Sequence, residues 1–180
     1  MRLVDLSYEI YEGMFKFPGE YHPSVEVALT GTFERDRCEV RRLTMGTHAG
    51  THVDAPAHFV PGGLTIDQMP LHVLFARTQV IDAWTEQEGA VLPQNLFAHT
   101  EFDRAHGVLI RTGWERRWGG QGFYRGFPVL AQGVIEGLMA RGCAHLAVDF
   151  PLTVEVHQVA LGGGAILIEN LCNVGEIREK

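Results

Sequence analysis

Three histidines and an aspartate crowd into one short run, His48-Ala49-Gly50-Thr51-His52-Val53-Asp54-Ala55-Pro56-Ala57-His58. Neutral imidazole and ionised carboxylate are the usual protein ligands of zinc and manganese, so the run points to a divalent metal. Its backbone is constrained as well. His48 and His52 stand four apart, as on one face of a metalloprotease helix, but the Glu that follows the first His of such a helix is Ala49 here. Gly46, Gly50 and Pro56, interleaved with β-branched Thr47, Thr51 and Val53, disfavour a continuous helix and predict extended or irregular backbone. On a strand, side chains alternate, which puts His48, Gly50, His52 and Asp54 on one face and brings two imidazoles to a carboxylate. His58 lies beyond Pro56, outside that alternation, and is left as either a further ligand or a general acid/base. A lone histidine is more often a surface or core hydrogen-bonding residue; a cluster of this density favours metal binding.

The 180 residues, 46% of them hydrophobic, suffice for one domain with a real core, read here as a single unit over residues 1–180. The formal net charge of −7 argues against nucleic acid or an anionic membrane as the main partner. The start, Met1-Arg2-Leu3-Val4-Asp5, lacks a signal-peptide apolar core and no apolar run approaches membrane-spanning length, so a cytoplasmic protein is expected. Cys38, Cys143 and Cys172 form no Cys-x-x-Cys pair and read as reduced, mostly buried thiols.

Around the central run, Arg2–Ile10, Ser24–Thr30, Arg37–Met45, Thr78–Trp84, Gly107–Thr112 and His145–Phe150 read as strands, the third leading into the ligand run. His22, before Pro23, is expected in a solvated loop, and Asp67 at a cap or turn. Pro93–His99 predicts a short helix. Trp114–Phe127, with its glycines and aromatics, predicts a surface connection or part of a lid. Arg111 reads as a structural brace ahead of a carboxylate-orienting role. Pro128–Arg141 has helical periodicity: Leu130, Val134 and Leu138 form one row, Pro128 suits the first turn and Gly142 the position after the end. Strand, helix and strand at this spacing make an α/β unit with Asp149 at a strand's carboxyl end. The glycines 162–164 are not a phosphate loop, since no Lys-Ser or Lys-Thr follows. Glu169 ends the apolar run Ala165–Ile168, and a carboxylate at the end of a buried strand needs a cation or donor nearby.

Every fixed position of H-x-G-T-H-x-D-x-P-x-H is filled between His48 and His58, and the run resembles the signature of the metal-dependent cyclase or hydrolase family of bacterial kynurenine formamidases and isatin hydrolases. Phe17-Pro18-Gly19, Arg111-Thr112-Gly113-Trp114 and His157 to Asn173 extend the resemblance over most of the chain. It implies a swivelling β/β/α fold of the α/β class, a mixed sheet or partly closed β-barrel with flanking helices, assembled as a homodimer or higher homo-oligomer. It also implies two divalent metal ions, Zn or Mn, one held by His48, His52 and Asp54 and the other by Asp54, His157 and Glu169, with Asp54 bridging. Phe17 would line the substrate pocket and His58 would act as general acid/base, passing a proton to the departing nitrogen. Two such cations acidify a bound water and polarise a carbonyl. The implied activity is hydrolysis of a small amide, foremost an aryl formamide such as N-formylkynurenine of tryptophan catabolism. Alternatives are an isatin-like lactam hydrolase or cyclase, and a non-catalytic metal-binding protein with a relic site.

Two departures from the family pattern bear on the pocket wall and the oligomer interface. Only seven residues separate Asp149 from His157, without the Ser/Asp pattern of the kynurenine formamidases, and the sequence ends soon after Glu169, without a Gly-x-Pro-x-Arg segment.

Overall fold

The computed structural model describes residues 2–97 and 107–177. Its centre is a five-stranded mixed sheet of β3 (His52–Asp54), β4 (Thr78–Asp82), β6 (Gly107–Arg111), β8 (His145–Val148) and β9 (Ile166–Glu169), in the spatial order β3-β9-β8-β6-β4. The last four run parallel and β3 closes one edge antiparallel to β9. Strands with neighbours on both sides and cover on both faces read as continuous apolar runs, and all five residues of β6 are buried. Two small ladders stand apart. The first is an antiparallel hairpin, β1 (Glu26–Gly31) with β2 (Val40–Thr44), joined through the short helix α1 (Phe33–Asp36); the second is the parallel pair β5 (Val91–Leu92) and β7 (Val129–Leu130).

The two faces of the sheet sort by sequence parity. Val108, Ile110, Leu146, Val148 and Leu167 face the main core beneath α2 (Gln132–Ala140) and α3 (Val154–Gly162), which supply Val134, Ile135, Leu138, Val156, Ala160 and Leu161. Leu109, Ala147 and Ile168 face the other way, against Leu6, Leu171 and Val174. The core cluster is large enough to dominate the folding free energy: each fully buried aliphatic or aromatic side chain contributes about 1.5–3 kcal/mol. Gly107 opens β6 where a Cβ would fall 1.9 Å from Nε2 of buried His145, so only glycine passes there. That ring is fixed by the Val73 carbonyl and the Thr78 hydroxyl.

Several elements differ from expectation, each for a local reason. Residues 2–10 form no strand. Their hydrogen bonds are isolated, among them Tyr8 N–H to the Thr51 hydroxyl and Cys172 N–H to the Leu6 carbonyl, and no ladder develops. The helix expected from Pro128 begins at Gln132, because Val129 and Ala131 donate to the Ala90 and Leu92 carbonyls and the fixed φ of Pro128 suits extended entry equally well. Its end matches: Gly142 takes φ +72° as Cys143 N–H returns to the Leu138 carbonyl. The helix expected over Pro93–His99 is a 3₁₀ turn at Gln94–Phe97, and His99 lies outside the described residues. The segment from Trp114 to Phe127 is packed: Trp114, Phe123 and Tyr124 are buried, and the Trp114 indole donates to the Phe123 carbonyl. Cys143 and Cys172 are buried as expected, whereas Cys38 is exposed.

Candidate metal centre

The register of β3 on β9 assembles the first part of the site. Residues directly opposite in an antiparallel pair share a face. His52 is opposite Glu169 and Asp54 opposite Leu167, so His52, Asp54 and Glu169 all lie on the helix-covered side. α3 brings His157 over them from that side. His48 is not part of the strand, contrary to the alternation expected for residues 48–54: residues 47–51 form a turn, with Gly50 at φ +64°. The turn still delivers His48 to the carboxylate. Its Nδ1 lies 2.7 Å from Asp54 Oδ1. His58 arrives on the 3₁₀ turn Pro56–His58 and stacks on the His48 ring, centroids 3.9 Å apart.

Asp54 sits at the middle, 1% exposed. His52 Nε2 lies 3.5 Å from its Oδ1 and 3.7 Å from Glu169 Oε2. His157 Nε2 lies 3.3 Å from Asp54 Oδ2 and 3.2 Å from Glu169 Oε1. The other ring nitrogens fix which atom faces inward. His52 Nδ1 is 3.0 Å from the Gly50 carbonyl and His157 Nδ1 is 2.8 Å from the Thr153 carbonyl. A carbonyl only accepts, so in the neutral rings Nδ1 holds the hydrogen and the Nε2 lone pair is directed at the carboxylates, as the outer hydrogen bonds of metal-bound histidines arrange. Acceptors facing acceptors in a buried site repel unless a proton or cation lies among them. Asp54 Oδ1 and Oδ2 and His48 Nδ1 are buried without a hydrogen-bond partner among the described residues. Donor atoms of His48, Asp54 and His58, and of His52, Asp54 and Glu169, group within 4.8 Å of one another, with Asp54 in both sets. A nitrogen and oxygen donor set of this kind fits one or more divalent cations.

The electrostatics of the protein alone agree. Burial would raise the Asp54 carboxyl pKa, but the imidazoles of His157, His48 and His52 hold it well below the usual carboxylate range. Burial would lower that of His157, but the adjacent Asp54 and Glu169 carboxylates push it up to about 10, so without a metal a proton takes the cation's place. His58 is brought down to about 4 by burial and by the neighbouring histidines, against the opposing pull of Asp54.

The cavity over these residues is also lined by Phe17, Phe59, Tyr124, Phe127, Leu152 and Asn170. Phe17 therefore stands at the cavity wall. His22 is not a solvated loop residue: it is partly buried on the same wall, its ring 6.4 Å from that of His48, and burial lowers its pKa. The position of Asn170 was open to inference from its place after Glu169, but nothing in the sequence marks Tyr124. Leu152 N–H donates to Glu169 Oε1, leaving Oε2 toward His52. Asp149 and Arg111 stand outside the donor set. Asp149 accepts from the Thr112 N–H and hydroxyl and from Gly113 N–H; Arg111 pairs with Asp82 and donates to the Val174 and Ile177 carbonyls.

Residues 4–153 match the profile of a family described as Putative cyclase. The chain is 30% identical to a kynurenine formamidase of Bordetella avium, over 94% of this chain and 82% of that protein. A kynurenine formamidase of Bacillus cytotoxicus is 26% identical, over 82% of this chain and 68% of that one. Among solved structures, isatin hydrolase A from Labrenzia aggregata bound to benzyl benzoate superposes with a TM-score of 0.84 at 21% identity, covering 98% of this chain and 83% of that one. An isatin hydrolase bound to the product analogue thioisatinate gives 0.83 at 20%, covering 97% and 81%.

Proposed function

The chain belongs to the cyclase family, and from that premise we propose that it is a metal-dependent hydrolase of a small amide, foremost an aryl formamide such as N-formylkynurenine. The observation that carries this reading is the buried Asp54 carboxylate ringed by the imidazoles of His48, His52 and His157, with the outer nitrogens of His52 and His157 fixed by carbonyls. His48, His52, Asp54, His157 and Glu169 would hold two divalent ions, zinc or manganese, with Asp54 shared. When bound, such ions polarise a carbonyl and make hydroxide available near neutral pH.

The chain's own residues do the rest. The aromatic wall of Phe17, Phe59, Tyr124 and Phe127 favours a flat ring and excludes water from one side of it. His58, neutral above about pH 4, takes the proton released as water adds to the amide carbon, and returns it to nitrogen as the C–N bond breaks. The products are formate and the free amine. One domain carries this activity, and a homo-oligomer is supported by the β1–β2 hairpin, where Leu29, Val40 and Leu43 are about half exposed. No helix among the described residues is long and apolar enough to cross a membrane.

The test is formate release from N-formylkynurenine by zinc- or manganese-loaded protein, beside isatin ring opening. Turnover of the formamide, lost in Asp54→Ala, supports the reading. Turnover of isatin alone moves the substrate to a lactam, and stoichiometric metal with no turnover of either favours the relic site.

A further inference from the structure

Two residues of the cavity wall, neither a proposed metal ligand, each carry a buried polar atom that lacks a hydrogen-bond partner among the described residues: the Tyr124 hydroxyl and Asn170 Oδ1. Asn170 has a structural task, since its Nδ2 donates to the Gly50 carbonyl and ties the His48 turn to the end of β9. Tyr124 has no such bond. Its ring, 9% exposed, is packed between Phe15 (stacked, 5.1 Å between centroids), Phe17 (5.3 Å, edge-on) and Phe123 (4.9 Å, edge-on). That packing is apolar and a phenylalanine would fill it equally. A phenol buried there without a partner costs stability relative to phenylalanine, so packing does not account for the hydroxyl.

The rest of the cavity sharpens the point. Asp54 and Glu169 offer acceptor oxygens, and so does the Asn170 amide, whose Oδ1 has no partner among the described residues. Beside these acceptors the Tyr124 O–H is a donor without a partner among the described residues. A planar ligand bearing an oxygen acceptor complements it, whereas an N–H group alone does not.

The geometry points to Tyr124 as a substrate-binding residue whose hydroxyl donates a hydrogen bond to an oxygen acceptor of an aromatic ligand lying in the cavity beside Glu169. This rests on reading the cavity as the site of an amide hydrolase, and it deepens that reading by making the pocket select ligands with an oxygen acceptor on or next to the ring.

The experiment compares wild type with Tyr124→Phe, which removes only the hydroxyl. Zinc-loaded protein is titrated calorimetrically with benzohydroxamate, a flat aryl ligand with two oxygen acceptors, and metal-free protein is melted in parallel. The expected result is affinity about ten-fold weaker in Tyr124→Phe with a melting temperature equal to or above that of wild type. Unchanged affinity overturns the assignment. A melting temperature several degrees lower also overturns it, because the hydroxyl then serves the fold. Failure of wild type to bind benzohydroxamate overturns it too, since the cavity then takes no such ligand. If binding depends on the hydroxyl while wild type cleaves no formamide, the proposed substrate falls and Tyr124 keeps its role. For any amide that is cleaved, a loss confined to kcat places the bond on the reacting oxygen, and a loss in KM places it elsewhere on the ligand.

Discussion

Asp54 pays for its burial only in the presence of positive charge, and its neighbours are arranged to leave that charge a place. Unlike His52 and His157, His58 has no carbonyl fixing its tautomer among the described residues, in keeping with a proton carrier. Replacing it by Ala is expected to leave bound metal unchanged while lowering formamide turnover about 10²- to 10⁴-fold; metal content and rate on the same sample check this. In metal-free protein the His58 ring should titrate by NMR near pH 4 instead of 6.5. Because its folded-state pKa is depressed, the stability it contributes is present above 6.5 and lost as pH falls toward 4. Cys143 works in the opposite sense. Burial raises its thiol from 9.0 to about 11, so the folded state resists ionisation and stability falls as pH rises across that window, by ~2–3 kcal/mol. Denaturant titrations at pH 8.5 and 11 should show a fall in stability in wild type that is smaller in Cys143→Ala, the remainder coming from the buried Tyr8, Tyr124 and Cys172. At this scale the sequence was informative where residue chemistry is local: the run from His48 to His58 carries its donor types openly. Tyr124 and His22 were not legible, because their roles come from what folds over them.

The elements convert that run into a site through register and parity. His52 meets Glu169 because β3 pairs antiparallel with β9, and His157 joins them from the first turns of α3. The strands Gly107–Arg111 and His145–Val148 were readable from their apolar runs, and the end of α2 from Gly142. The beginning of α2 was not, since a periodic stretch does not reveal that Val129 and Ala131 find partners on β5. The same limit applies to residues 2–10, whose apolar alternation lacks a neighbouring strand. Asp149, at the carboxyl end of β8, joins this strand to the turn after β6 by accepting three hydrogen bonds. Asp149→Ala would strand two buried N–H donors and cost about 3–5 kcal/mol. Urea unfolding measures that loss, and metal affinity in the folded fraction should change little if the residue is purely structural.

At the scale of the whole molecule, the metal centre joins the β3 edge, the His48 turn and α3, so metal binding should stabilise the fold as one unit. Ligand linkage gives about 4 kcal/mol when free metal exceeds its dissociation constant a thousand-fold. For a chain of this size that is a rise in Tm of roughly 8–16 °C. Chelation should reverse it, and Asp54→Ala should show no metal-dependent shift. The fold class followed from the family resemblance, whereas periodicity alone reached only α/β; long-range pairing such as β3 with β9 joins residues over a hundred positions apart and leaves no local trace.

The most direct measurement is elemental analysis after dialysis against zinc and then metal-free buffer, on wild type, His52→Ala and Glu169→Ala. About two ions per chain are expected in wild type and fewer in each variant, with circular dichroism unchanged. A folded wild-type protein that retains no metal, and takes up none on titration with zinc or manganese, would contradict the proposed metal centre.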